Sequence, residues 1–298
     1  MQFRTTLGIG ELARLTRVPV RTIRFYCDTG ILTTVRSTGG HRRFAPDAVD
    51  QLTLVRRLRG LGLGLPAITD VLAGRRSMAD AVAAARAELD VSLAELAWRR
   101  ASLVAVEQSR PTERAARLDL LTAVTDSRAA HDTLVEYWRR AVANPWPEPV
   151  FEAFAAMVVP DPPAEPTAAQ VMAYAQMVTL TANRLLPSLL TEHVVDQHSM
   201  LAGVDEAIGL ASPLVSAGTI PGPGPVLDQF VAAHAVGRDR RDSPAFRQEL
   251  LTTLASGREP GFRRYWGLYA EVTGETTTLG GTHIWLLDSL AEAVAAQH

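Results

Sequence analysis

The sequence predicts a mainly α-helical chain, and three observations lead there. Apolar residues recur at helical spacing through most of the 298 residues. Glycine is absent from Met78 to Ala202, and no proline falls in that stretch before Pro111, so the two strongest helix breakers are missing where a long helix needs them missing. Residues compatible with strands are confined to one short pair of runs in the first quarter. This length also exceeds the usual size of one domain. With 47% hydrophobic and 21% charged residues the chain has material for packed cores, which excludes a disordered chain, and no apolar run approaches a membrane span. The opening Met-Gln-Phe-Arg-Thr-Thr-Leu-Gly lacks the apolar run of a secretory signal, and Cys27 is the single cysteine. A cytoplasmic chain without disulfides, thiolate-rich metal sites or a membrane partner is the expectation.

Charge divides the chain. All thirty basic residues are arginine, and thirteen of them fall in residues 1–76 against five acids, a balance of +8; residues 77–298 carry a balance of −10. A small basic front joined to a larger acidic back is the arrangement of a nucleic-acid-binding domain carrying a domain with another purpose. Chance clustering is the bland alternative, so the motifs must decide.

Ile9 to Leu15 reads as a short helix, with Ile9, Leu12, Ala13 and Leu15 near one face. Thr16-Arg17-Val18-Pro19 supplies a tight turn, and Pro19 suits the start of a second helix from about Val20 to Thr29, ended by Gly30. Two short helices joined by four residues form a helix-turn-helix. Val20, Ile23 and Cys27 fall on its packing face and Arg21, Arg24, Phe25 and Asp28 elsewhere, with Tyr26 nearby. Arginine can bridge guanine O6 and N7 or clamp phosphates, which makes this the recognition helix. Leu32–Arg36 and Arg42–Phe44 flank Gly39-Gly40 and read as a hairpin, a basic wing carrying His41, Arg42 and Arg43. A helix over Asp47–Leu61 leaves Arg56, Arg57 and Arg59 to solvent; Gly60, Gly62 and Gly64 loosen the next connection, and Pro66–Leu72 begins a short helix closed by Gly74.

These motifs, Ile9-Gly10-Glu11-Leu12-Ala13, Arg21-Thr22-Ile23-Arg24-Phe25-Tyr26, Gly30-Ile31-Leu32, Gly39-Gly40-His41-Arg42-Arg43-Phe44 and Leu61-Gly62-Leu63, resemble the winged helix-turn-helix domain of the MerR family of transcription regulators over residues 7–74. The resemblance implies a dimer that binds a pseudo-palindromic promoter element and reshapes its spacer for RNA polymerase. It carries contacts over to Arg21, Arg24 and Tyr26 and to Arg42 in the wing; Thr22, His41, Arg43 and Arg59 complete the expected DNA-binding set. Cys27 stands where the family commonly has an acid and is read as a packing residue, with a reactive thiol as the other reading.

In the connector, residues 77–110, Val82, Arg86, Leu89, Leu93, Leu96, Arg100 and Leu103 follow alternating steps of four and three. That is a coiled-coil seam, with Val82, Leu89, Leu93, Leu96 and Leu103 as its dimerisation residues and the two arginines as flaws whose stems can cover apolar surface. A lone amphipathic helix packed on its own domain is the competing reading.

Residues 111–298 read as an all-helical bundle, with helices over 113–143, 150–159, 168–190, 195–210, 226–236, 244–255, 261–273 and 281–297, separated by proline-rich punctuation. Its histidines are scattered; Glu192-His193 with His198 is the tightest grouping, and no spacing marks a metal site. No phosphate loop, nucleophile elbow or zinc-protease motif is present, so neither catalysis nor a cofactor is expected. Aromatic residues are the remaining clue: Tyr137, Trp138, Trp146, Tyr265, Trp266, Tyr269 and Trp285, joined by His283, are the candidates for a small-organic-ligand pocket, although tryptophan more often simply fills helix interfaces. Arg139, Arg140, Arg263 and Arg264 either meet an anionic ligand or cap the solvent side of their helices. The expected partners are therefore double-stranded promoter DNA, a second copy of the chain, RNA polymerase and a small organic ligand. A ligand-independent interaction module and a sequestering binder that regulates its own gene remain open as alternatives.

Overall fold

The computed structural model describes residues 6–36, 41–141, 146–182 and 194–297. Among these are fourteen α-helices, one 3-10 turn and three short strands, a mainly α protein that divides into two compact units, Met1–Ser92 and Leu93–His298. No helix among the described residues is long and apolar enough to cross a membrane.

In the first unit, α1 (Ile9–Thr16) and α2 (Val20–Asp28) are joined by a turn whose sharpness has two local causes. Arg17 adopts the left-handed conformation, φ 56°, which stops α1, and the Thr16 hydroxyl donates back to the Leu12 carbonyl at 2.7 Å. Pro19, at φ −58°, then precedes α2 with the dihedral a helix entry needs. Leu12, Val18, Ile23, Leu32, Phe44, Ala48 and Leu52 form the core beneath the pair. The sequence reading anticipated a two-stranded wing; the structure adds a third strand. β1 (Leu7–Gly8), β2 (Val35–Arg36) and β3 (Arg42–Phe44) form an antiparallel sheet in the order β1-β3-β2, with Leu7 opposite Phe44 and Val35 opposite Arg43. The wing tip, Ser37 to Gly40, lies outside the described residues. α3 (Ala48–Gly60) and α4 (Leu65–Leu72) bury Val55, Leu58 and Ile68 together with Ile31 and Leu63, and Gly62 permits the turn between them at φ 90°.

α5 (Met78–Glu107) is continuous for 30 residues. In the second unit its residues Trp98, Ala101 and Ala105, spaced by three and four, are buried in one core, where the Trp98 indole donates to the Val124 carbonyl at 2.8 Å. The same core takes residues from α7 (Ser127–Ala141), α8 (Glu148–Val158), α9 (Ala168–Ala182) and α13 (Pro260–Thr273). A second core joins α10 (Gln197–Ser216), α11 (Pro225–Gly237), α12 (Pro244–Thr253) and α14 (Leu279–Ala295) through Ala207, Phe230, Phe246 and Leu290.

Two helix boundaries depart from the sequence reading. The single helix expected over 113–143 is two, α6 (Arg114–Thr122) and α7, because Asp126 restarts the chain: its carboxylate accepts from the Arg128 and Ala129 amides at 2.9 and 3.0 Å. α10 runs on to Ser216 through Pro213 instead of stopping near Leu210. The expected extension of α9 towards Leu190, and the cluster members Glu192 and His193, lie outside the described residues.

Candidate nucleic-acid interface

α2 divides cleanly by exposure. Ile23 is buried, Thr22, Tyr26 and Cys27 are half-buried, and Arg21, Arg24, Phe25 and Asp28 are exposed. The exposed four stand at i, i+3, i+4 and i+7 and so form one outward stripe. Among the described residues, neither the Arg21 nor the Arg24 side chain takes part in an intramolecular hydrogen bond or ion pair. Tyr26 lies at the seam of the two head cores, with its ring 5.9 Å from that of Phe25, so it is held in place as well as partly accessible. Burial pushes the Cys27 thiol up while nearby Arg42 pulls it down, which fits a packing side chain better than an activated thiolate.

The basic residues outside α2 have more defined jobs than sequence alone gave them. Arg42 is ion-paired to Asp28 at 2.7 Å. Arg43 lies in the central strand, opposite Gly8 and Val35, and its Nε donates to the Thr6 hydroxyl at 3.2 Å. His41 is exposed just before β3. Arg59 donates to the Leu63 carbonyl at 2.9 Å, bracing the glycine-rich turn after α3, and Arg56 donates to the Thr16 carbonyl at 3.2 Å, tying α3 to the end of α1. A side chain that reaches a backbone carbonyl forty residues back, as Arg56 does, or one in the turn just after its own helix, as Arg59 does, leaves no periodic trace, which is why both read as solvated.

On α5 the apolar residues at the predicted seam are exposed. Leu89, Leu93, Leu96 and Leu103 are 59%, 63%, 62% and 65% exposed, and Val82 is also exposed. Trp98 and Ala101, two residues from Leu96 and Leu103, point the opposite way at about 200° of helical rotation.

The aromatic candidates fall into two groups. Trp138, Tyr265, Trp266 and Tyr269 share the first core, with Tyr137 packed against it. The Trp138 indole donates to the Tyr265 hydroxyl at 2.9 Å, which donates to the Val158 carbonyl at 2.8 Å. Trp146 packs edge-on to Phe154 at 5.1 Å. Burial raises the Tyr137 hydroxyl to about 12. Trp285 and His283 lie apart: the Trp285 indole donates to the Thr219 carbonyl at 2.8 Å, and His283 faces Phe230 at 5.7 Å. The neighbouring arginines are engaged, Arg139 with Glu148 at 2.8 Å, Arg140 with Glu136 at 3.7 Å, Arg263 with Asp288 at 2.6 Å and Arg264 with Glu271 at 3.8 Å. Sequence reasoning did not single out His234, on α11, whose ring meets Phe230 at 4.6 Å beside His283. Among the described residues no group of three or more His, Cys, Asp or Glu is placed to hold a metal ion.

Comparison with known proteins bears mainly on the N-terminal part of the chain. The family described as MerR HTH family regulatory protein matches residues 7–75. The nodulation protein NolA of Bradyrhizobium sp. is 31% identical over 152 residues, half of this chain and 58% of that protein. NolA of Bradyrhizobium elkanii is 40% identical over 91 residues, 30% of this chain and 42% of that protein. The HTH-type transcriptional regulator CueR of Vibrio cholerae is 28% identical over 103 residues, 34% of this chain and 74% of that protein. The chain thus spans about half the length of the nodulation proteins it resembles. No solved structure matches it significantly. The turn fixed by Arg17 and Pro19, the arginine stripe of α2, the three-stranded wing and the family match coincide, and residues 7–75 are a MerR-family helix-turn-helix domain.

Proposed function

We propose that the protein is a homodimeric, sequence-specific regulator of transcription that binds promoter DNA through residues 1–76, dimerises through residues 77–110 and responds to a small organic ligand through residues 111–298. The observation that carries the DNA-binding reading is the outward stripe of α2: two guanidinium groups without an intramolecular partner, on a helix whose other face is buried. Arg21 and Arg24 reach base edges or phosphates from the major groove, Thr22 and Tyr26 support them from the flank of the helix, and His41, Arg42 and Arg43 follow the backbone beside it.

Dimerisation is supported by the two-faced α5. A helix packed only on its own domain would bury its apolar stripe there, whereas this one buries Trp98, Ala101 and Ala105 and leaves four seam leucines in water. A second copy supplies the missing surface, and the shared arm sets the separation of the two recognition helices. Bending a promoter smoothly costs about 1–6 kcal/mol. A ligand that binds one arm geometry a few kcal/mol better than another therefore suffices to switch how RNA polymerase uses the site. The ligand reading rests on the half-buried edge of the aromatic core, where Tyr137 and Trp146 are partly accessible. The closed Trp138–Tyr265–Val158 hydrogen-bond chain favours a second reading, in which that core is structural and the back region binds a protein partner.

The test of the DNA-binding reading is selection of duplexes from a random library by the full chain, followed by titration of the enriched duplex. Arg24→Ala is expected to weaken binding by about 1–3 kcal/mol. Binding that is unchanged in affinity and in salt slope by that substitution removes α2 as the recognition helix.

A further inference from the structure

The ion pair between Asp28 and Arg42 is at once the best-defined and the least expected feature of the interface. Asp28 is the last residue of α2, where the negative end of the helix dipole disfavours a carboxylate. It is also on the exposed stripe with Arg21 and Arg24, where it would repel a phosphate backbone. Arg42 is the first residue of β3, fourteen positions on, at the base of the wing; its terminal nitrogen reaches the Asp28 carboxylate at 2.7 Å and its side chain also lies against Cys27. The pair joins the C-terminal end of the recognition helix directly to the wing. A guanidinium group has five donors in a planar fork, so a carboxylate on one side leaves the other side available for a phosphate.

From this we infer that Asp28 is a positioning residue for DNA recognition: through Arg42 it fixes the wing relative to α2, and it contributes to discrimination between sequences rather than to general DNA affinity. The inference rests on the DNA-binding reading above. Its two consequences have opposite signs. As a bare negative charge near phosphates, Asp28 weakens binding to every duplex; as the anchor of Arg42, it strengthens binding only where helix and wing must engage together.

The experiment measures anisotropy of the full chain on the selected duplex and on a scrambled duplex of equal length, across a salt series. Asp28→Asn is expected to lower affinity for the selected duplex about threefold to fivefold, the ceiling for an exposed ion pair, while affinity for the scrambled duplex stays level or rises. Asp28→Glu, which keeps the charge, is expected to restore part of the loss. In an Arg42→Ala background Asp28→Asn should no longer separate the two duplexes. Affinities that rise together, or a selective loss that persists without Arg42, overturn the inference. Enrichment of no duplex removes the DNA-binding reading and this inference with it; a chain that binds, loses binding in Arg24→Ala and ignores Asp28→Asn removes this inference alone.

Discussion

The Trp266 indole ring lies directly on the backbone of Gly280, where a β-carbon would come within 1.8 Å of the ring. No side-chain rotation relieves that overlap, because the ring is buried in the first core. Gly280→Ala is therefore expected to destabilise the fold by about 1–3 kcal/mol or more, read as a lower urea midpoint at unchanged slope. His234 makes a different kind of prediction. Arg238 donates to its Nδ1 at 2.9 Å; since a guanidinium group cannot accept, Nε2 carries the proton, and that buried N–H has no partner. Burial, with smaller contributions from Arg238 and His283, pushes the His234 imidazole down to about 3. Above about pH 6.5 the ring is neutral folded and unfolded alike. Below it the unfolded chain takes up a proton that the folded chain refuses, so stability falls as pH drops from there towards 3. Thermal midpoints between pH 7 and 5 should show this fall, and His234→Gln should make it shallower; an equal slope in the variant would assign the acid sensitivity elsewhere. At this scale the sequence exposed residue types but not partners. Arg21 and Arg24 were legible because a stripe follows from helical spacing, whereas the engagement of Arg42 with Asp28 and of Arg56 with Thr16 depends on where the chain returns.

Among the elements, α5 carries the sharpest expectation. Leu93 and Leu96 are exposed in the isolated chain, so replacing both with glutamate should leave helix content unchanged while shifting the protein from dimer to monomer in sedimentation. A loss of helix and solubility instead would mean that these leucines pack within their own chain. The helices after residue 111 were legible in approximate extent but not in number, eight being expected where nine are described. Their ends were not legible either, since Asp126 looked like any other charged residue in a helical stretch, and only the two amides it caps reveal the break after Thr122. The third wing strand was missed for a related reason: two residues, Leu7 and Gly8, are too short for any alternation to register.

For the molecule as a whole, the basic front and acidic back seen in the sequence lead to the expectation that the proposed DNA binding by residues 1–76 weakens steeply with salt. The proposed ligand response is tested on the full chain, and the expected outcome of a thermal-shift screen with aromatic metabolites and antibiotics is a saturable rise in midpoint with at least one class. A midpoint that no compound moves, together with co-purification of a protein on the wild-type chain, would favour the interaction-module reading. Composition and motif order made the first quarter readable because a helix-turn-helix is written in short-range signals: caps, turns and a four-residue link. A helical bundle has no such local script, and which aromatic residues meet in it was settled only by tertiary packing, which placed Trp138 with Tyr265 and separated both from Trp285.

The two faces of α5 also constrain how its length can change. Ala81 is buried near one end of the helix and Trp98, Ala101 and Ala105 towards the other, while the leucines between and beside them form a single line. One residue inserted between Asp90 and Ser92 leaves both buried ends packed but turns the later leucines by about 100° from the earlier ones. Homologous arms should therefore vary in length by sevens, and a chain with a single insertion should fold normally, keep each unit intact, and still fail to find its second copy.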